Sequence, residues 1–244
     1  MNHSAFPKYY TPQDFTAAEQ RVGLKRKRSS TTANQAYTAE NIHRRWCFWN
    51  RPFPLGVVGT SRHDLFDIDE CGIWLEKNNR HHGKAYGGVR VREPGPYGHG
   101  EKFTLILGVD TSGALKHLRI SKATGTTIEI FVAYVKELVS KPGWAPGSPG
   151  YRQRTVMWDN LPHVHDNAEV FNVMDAAGHR VLARPKYRPQ DGPIEYVFNQ
   201  LQRELSKIIH TIANEHEFVQ AITTIITNIT GASIDATFVH CGYA

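Results

Sequence analysis

Two short apolar runs in this chain each end on an aspartate, and a long amphipathic run opens on a glutamate. Asp64-Leu65-Phe66-Asp67-Ile68-Asp69 reads as a strand. Alternation puts Phe66 and Ile68 on one face and Leu65, Asp67 and Asp69 on the other, so Glu70 should point away from Asp69. Arg154 to Trp158 is a second strand that stops at Asp159-Asn160. The third run begins near Pro193, a residue type favoured in a first helical turn. Ile194, Val197, Phe198, Leu201, Leu205, Ile208, Ile209 and Ile212 follow at helical spacing, with Glu195 at the start. Carboxylates at strand ends meet on one rim of a sheet, where α/β proteins place their sites. Taken singly, each acid also has a plain reading as a turn residue or helix cap.

The remaining elements fit around this frame. Thr38 to Trp46 reads as a short helix capped by Thr38, ended by Pro52 and Pro54. Ile73-Trp74-Leu75 is expected as a separate strand and Phe103 to Val109 as a clear one, with a turn at Thr111-Ser112-Gly113. Ile128, Phe131, Val132, Val135, Leu138 and Val139 make one apolar helical stripe. Glu169 to Ala177 is helical and stopped by Gly178, and Arg180 to Ala183 is a short strand stopped by Pro185. The remaining segment through Ile229 is expected to be helical too, with Phe218, Ile222, Ile225 and Ile226 apolar. This order argues for an α/β layered domain with a mixed sheet.

The charge is unevenly placed. Through Thr60 there are nine Lys/Arg against three Asp/Glu, which accounts for the whole net charge of +6. Residues 1–60 therefore read as a basic arm with a short helix, and 61–244 as the globular domain. Such an arm suits a polyanionic partner, most simply nucleic acid, and otherwise serves as a solvated tail. Its run Lys25-Arg26-Lys27-Arg28 can contact phosphates or act as a nuclear-import signal. A second basic, glycine-rich stretch carries Lys77, Arg80, His81, His82, Lys84, Arg90 and Arg92 directly after the first acidic strand. It is expected to track DNA phosphates, with an ordinary solvated hairpin as the alternative. Arg184, Lys186 and Arg188 lie just before Glu195 and are expected to meet a phosphate or a flanking strand, or else simply to pair with surface acids. Cys47, Cys71 and Cys241 are too dispersed for a disulfide framework or a cysteine zinc site, which makes a reducing compartment the default. No apolar run approaches the roughly 20 residues that span a bilayer, so no membrane role is expected.

Carboxylates gathered at one rim repel each other, and divalent cations relieve that repulsion. Oxygen-only ligands suit Mg²⁺ or Mn²⁺. Two such ions can hold the attacking and leaving oxygens of an in-line phosphoryl displacement. Asp67 shares the Asp69 face, so periodicity leaves both open as the first ligand.

Three segments then carry a resemblance. Phe66-Asp67-Ile68-Asp69-Glu70-Cys71-Gly72 resembles the segment around the first catalytic aspartate of the mariner-superfamily DDE transposases. Met157-Trp158-Asp159-Asn160-Leu161-Pro162-His163 resembles the segment around the second, and Tyr187 through Glu195 the Tyr-Ser-Pro…Asn-Pro-Ile-Glu segment around the third acid. The 35 positions between Asp159 and Glu195 are close to the spacing typical of that superfamily. Phe238 through Tyr243 resembles the ending of some eukaryotic members.

The resemblance implies a ribonuclease-H-like fold, a mixed sheet flanked by helices. It implies two Mg²⁺ or Mn²⁺ ions on Asp69, Asp159 and Glu195, with Asp67, Asn160 and His163 in supporting places. It also implies cleavage at transposon ends, joining of the 3′-hydroxyl to target DNA, a homodimer on double-stranded DNA with terminal inverted repeats, and the nucleus. Two positions depart from the pattern: Gly192 stands for the usual Asn and Arg188 for the usual Ser, which is expected to loosen the loop that aims Glu195. The first sixty residues show no paired-helix module for reading terminal repeats, so the part that chooses DNA is expected to be missing. The competing readings are a transposase-derived DNA-binding protein without catalysis and a metal-dependent ribonuclease-H-like nuclease.

Overall fold

A computed structural model describes residues 18, 21–22, 33–75, 86–87, 100–113, 116–122, 125–159 and 167–244. The chain divides into Met1–Ala33 and Asn34–Ala244, and the architecture below is that of the second unit. The strands are β1 (Leu65–Leu75), β2 (Glu101–Asp110), β3 (Lys116–Ser121), β4 (Thr155–Trp158) and β5 (Arg180–Ala183). They form one sheet in the order β3-β2-β1-β4-β5. β1–β2 and β2–β3 pair antiparallel, whereas β1–β4 and β4–β5 pair parallel. The expected mixed sheet is present, and its parallel half brings the ends of β4 and β5 to one rim.

The alternation of β1 decides which helix packs where. Phe66 and Ile68 join Ile106, Val156 and Trp158 in a core with α2 (Ile128–Val139) and α3 (Ala168–Ala176). Leu65, Ile73 and Leu75 face the opposite core with Leu105, Leu107 and Met157. That core is closed by α4 (Pro193–Ile208), α5 (Glu215–Asn228) and α6 (Gly231–Cys241). Phe48 of α1 (Ala39–Asn50) also enters it, and Thr38 caps α1 by accepting from Asn41 N–H. Asp67 and Asp69 share the Leu65 face, so they look toward the start of α4. Among the described residues no helix is long and apolar enough to cross a membrane.

Several expectations change. Ile73-Trp74-Leu75 is not a separate strand but the end of β1, because β2 pairs with β1 without interruption to Leu75. The stripe from Pro193 to Ile229 is helical as expected, but it is divided into α4 and α5, and α4 ends before Ile209 and Ile212. Chain propagation stops at Ile208, and Asn214 starts α5 with a reciprocal cap: it accepts from Glu217 N–H while Glu217 accepts from Ala213 N–H. Strand β3 and helix α6 add to the expected elements. The stretch Lys77, Arg80, Lys84, Arg90 and Arg92, the run Lys25–Arg28, and Asn160 and His163 all lie outside the described residues.

Candidate active site

β1 and β4 bring the first two acids together. Asp67 pairs with Met157 in parallel register, so Asp69 and Asp159 each lie two residues further on. β4 ends at Trp158, which leaves that edge of β1 open beyond Asp67. Carboxylate oxygens of Asp69, Glu70 and Asp159 lie within 4.8 Å of one another. Glu70 was expected on the far face. β4 pairs no further than Asp67, and past that open edge of β1 the Glu70 carboxylate reaches the same place as those of Asp69 and Asp159. Glu195, in the first turn of α4, lines the same cleft but stands outside that tightest group.

The cleft is about 540 Å³ and runs from these four acids to Arg184, Lys186, Tyr187 and Arg188. Burial, then the neighbouring Asp69 and Asp159 charges, push the Glu195 carboxyl above its ordinary range, against the pull of Arg184. The donor set is oxygen-only and crowded with like charge, which fits a hard divalent cation and not a soft one.

Asp67 takes a different place from Asp69. It is fully buried and absent from the cleft lining. Burial pushes its carboxyl up to about 7, although Arg184 and the Ile194 N–H both favour the charged form. Its Oδ2 accepts the Ile194 N–H at 3.0 Å, one residue before Glu195. Arg184 was expected at a phosphate. It is instead buried, with Nη2 donating to Asp69 Oδ2 at 2.5 Å and Nε 3.4 Å from Asp67 Oδ1. The position explains this: Arg184 is the first residue after β5, its N–H donates to Trp158 O, and its side chain passes the end of β4 toward β1. Burial alone would lower its affinity for a proton, but Asp67 and Asp69 outweigh that and raise it.

The loop into α4 is held, contrary to the expected loosening. Asp191 is buried and accepts both arms of a fork from Arg45 of α1, at 2.7 and 2.8 Å. Its carbonyl accepts from Tyr243 Oη at 2.8 Å. Arg188 donates to Ala36 O at 3.2 Å and lies over the Tyr37 ring. These contacts sustain Tyr187 at φ 58°, a left-handed conformation that costs an L-residue roughly 1–2 kcal/mol. Lys186 and Arg188 stay partly exposed at the cleft. Sequence reasoning missed Arg45 and Asp191, since partners 146 positions apart leave no local signature.

The sequence profile of the DDE superfamily endonucleases matches residues 64–218, a stretch that holds Asp69, Asp159 and Glu195 together. The chain belongs to the DDE superfamily endonucleases. No curated protein matches it in sequence. Among solved structures, the Mos1 mariner paired end complex with Mn is 14% identical at a TM-score of 0.67, covering 98% of this chain and 78% of that one. A pre-cleavage Mos1 transpososome is 15% identical at 0.64, with the same coverage. The catalytic domain of Mos1 mariner transposase is 12% identical at 0.56, covering 87% of this chain and 91% of that one. At such identities the likeness is one of fold, and this endonuclease has the ribonuclease-H-like arrangement expected from its sequence. Matched structures hold Mn or Mg.

Proposed function

We propose that this DDE endonuclease is the catalytic core of a cut-and-paste DNA transposase. In this reading it cleaves phosphodiesters at transposon ends and joins the 3′-hydroxyl to target DNA. The observation that carries it is the meeting of Asp69, Asp159 and Glu195 in one cleft at the parallel end of the sheet. These three carboxylates are the metal ligands. Two Mg²⁺ or Mn²⁺ ions, when bound, supply charge stabilisation for the attacking and leaving oxygens of an in-line displacement.

The chain's own residues do the remaining work. Asp69 is preferred to Asp67 as ligand because Asp67 is sealed beneath the cleft and bonded to the helix start. Lys186 and Arg188 stand at the cleft mouth, where they contact the scissile or flanking phosphate. Lys25, Arg26, Lys27, Arg28, Lys77, Arg80, Lys84, Arg90 and Arg92 extend the contact with DNA, and Asn160 and His163 support Asp159. The partner is double-stranded DNA with terminal inverted repeats, engaged by a homodimer in the nucleus. Matched structures of the paired-end and strand-transfer type support the DNA partner.

The test is cleavage. The purified chain is given Mg²⁺ or Mn²⁺ and DNA bearing the terminal repeats that flank its gene. Metal-dependent nicking that vanishes in Asp159→Asn and Glu195→Gln is expected. Salt-sensitive DNA binding with no nicking under either metal would overturn the reading in favour of a non-catalytic DNA-binding protein.

A further inference from the structure

Gly192 and Arg184 fit each other in a way that bears on the catalytic acids. A Cβ built on Gly192 would lie 1.6 Å from Arg184 Nη1 and 2.9 Å from its Cζ. The backbone of Gly192, at φ −98° and ψ 111°, is ordinary extended chain that any residue adopts. The glycine is therefore demanded by the guanidinium and not by the turn. Arg184 cannot step aside cheaply, because it is buried and engaged by Asp69 through Nη2 and by Asp67 through Nε. Asp67 in turn holds the Ile194 N–H. One guanidinium and one buried carboxylate thus connect Asp69 on β1 to the turn that presents Glu195.

The geometry points to Arg184 as a positioning residue for the reaction: it fixes Asp69 directly and the Glu195 helix through Asp67, and the absent side chain at 192 is the condition that admits it. This rests on the endonuclease reading above. Arg184 touches no reacting atom in this scheme; Lys186 and Arg188 face the DNA. The departure at 192 from the superfamily's asparagine, which looked like a weakening, is the space that Arg184 fills.

A double-mutant cycle tests the pairing. Wild type, Gly192→Ala, Arg184→Ala and the double variant are compared by Mn²⁺ titration calorimetry, by melting without metal, and by nicking. Gly192→Ala alone should weaken Mn²⁺ binding and slow nicking, each about tenfold. In the Arg184→Ala background it should cost nothing further, since the clash is gone. Arg184→Lys keeps the charge but loses the fork, and should recover melting temperature more than Mn²⁺ affinity. Removing Arg184 leaves Asp67 buried without its cation, so a parallel cycle on Asp67→Asn, which keeps an acceptor for Ile194, covers failure of Arg184→Ala to fold. Gly192→Ala with wild-type Mn²⁺ affinity, additive losses, or coupling confined to melting temperature would each overturn the proposal. A wild-type chain that neither binds Mn²⁺ nor nicks DNA would sink the endonuclease reading itself, a distinguishable result.

Discussion

At the start of β4, Arg154 is buried with its guanidinium 4.4 Å over the Trp144 ring, and Nη1 donates to Gly143 O at 2.7 Å. Past the end of β5, Arg184 is buried too, but between the carboxylates of Asp67 and Asp69. The first is held by a carbonyl and a ring, and burial lowers its proton affinity. The second is held by opposite charges, which raise it. His179 completes the contrast beside Arg154: its Nδ1 accepts the Arg154 N–H and its Nε2 donates to Trp144 O, the pattern of a neutral ring. Two opposite ends of one strand pair therefore bury polar groups for different purposes. Neutral partners fix a scaffold, whereas mutually paired charges at a cleft mark the place where chemistry is done.

The largest expected effect falls at the charged end. Asp69→Asn, Asp159→Asn and Glu195→Gln should each cut metal-dependent nicking by about 10³-fold or more, with melting temperature nearly unchanged for the last two and lowered for Asp69→Asn, which takes a charge from the buried Arg184. Asp67→Asn should cost only about tenfold, as a residue acting through others; complete loss there would exchange the assignments of Asp67 and Asp69. At the neutral end the reverse holds. Arg154→Ala should lower stability by about 2 kcal/mol, through the unpaired Gly143 carbonyl and the uncovered Trp144 ring, and leave Mn²⁺ affinity unchanged. A change in Mn²⁺ affinity in that variant would blur the distinction between the two ends.

Between these extremes lies the brace from α1. Arg45→Ala leaves Asp191 buried without its fork, three residues before Ile194. Nicking should fall about tenfold through a loosened Glu195, with an unchanged requirement for metal. Full activity would show that the loop holds without α1.

The smallest effect is a pH slope. Burial, with nearby cations, lowers the proton affinity of His179 and His117 in the folded state. The unfolded chain binds their protons first, near pH 6.5. Stability from these rings is fully present above that value and is lost as pH falls through their lower folded values. Asp67 and Glu195, whose carboxyls are raised, work in the opposite sense, so the histidine part is read as a difference: the melting temperature of wild type relative to His179→Gln should decline on acidification below about pH 6.5. A difference that does not change with pH would remove His179 from the scaffold.

The parts of this structure that follow from neighbouring residues could be read from sequence. Alternation set the two faces of β1, apolar spacing gave α2 and the start of α4, and Thr38 announced α1. The cleft acids followed because strand ends are local events and a parallel sheet gathers them. The break after Ile208 was also legible, since Asn214-x-x-Glu217 is a capping pattern, but the apolar stripe masked it. β3, Lys-His-Leu-Arg-Ile-Ser, was not, because an edge strand with charged residues lacks a strong period. Glu70 defied alternation where β4 ends, and Arg184 and Asp191 found partners 115 and 146 positions away. Such pairings are properties of the assembled rim, and only the folded chain displays them.

The central claim, that Asp69, Asp159 and Glu195 together form a divalent-cation site, is most directly tested by anomalous diffraction at the manganese edge from crystals soaked in Mn²⁺. The account predicts manganese in the cleft with oxygen ligands from all three residues, and its loss in Asp159→Asn. Manganese held by Asp69 and Glu70 with Glu195 uninvolved, or no manganese in the cleft at saturating concentration, would contradict it.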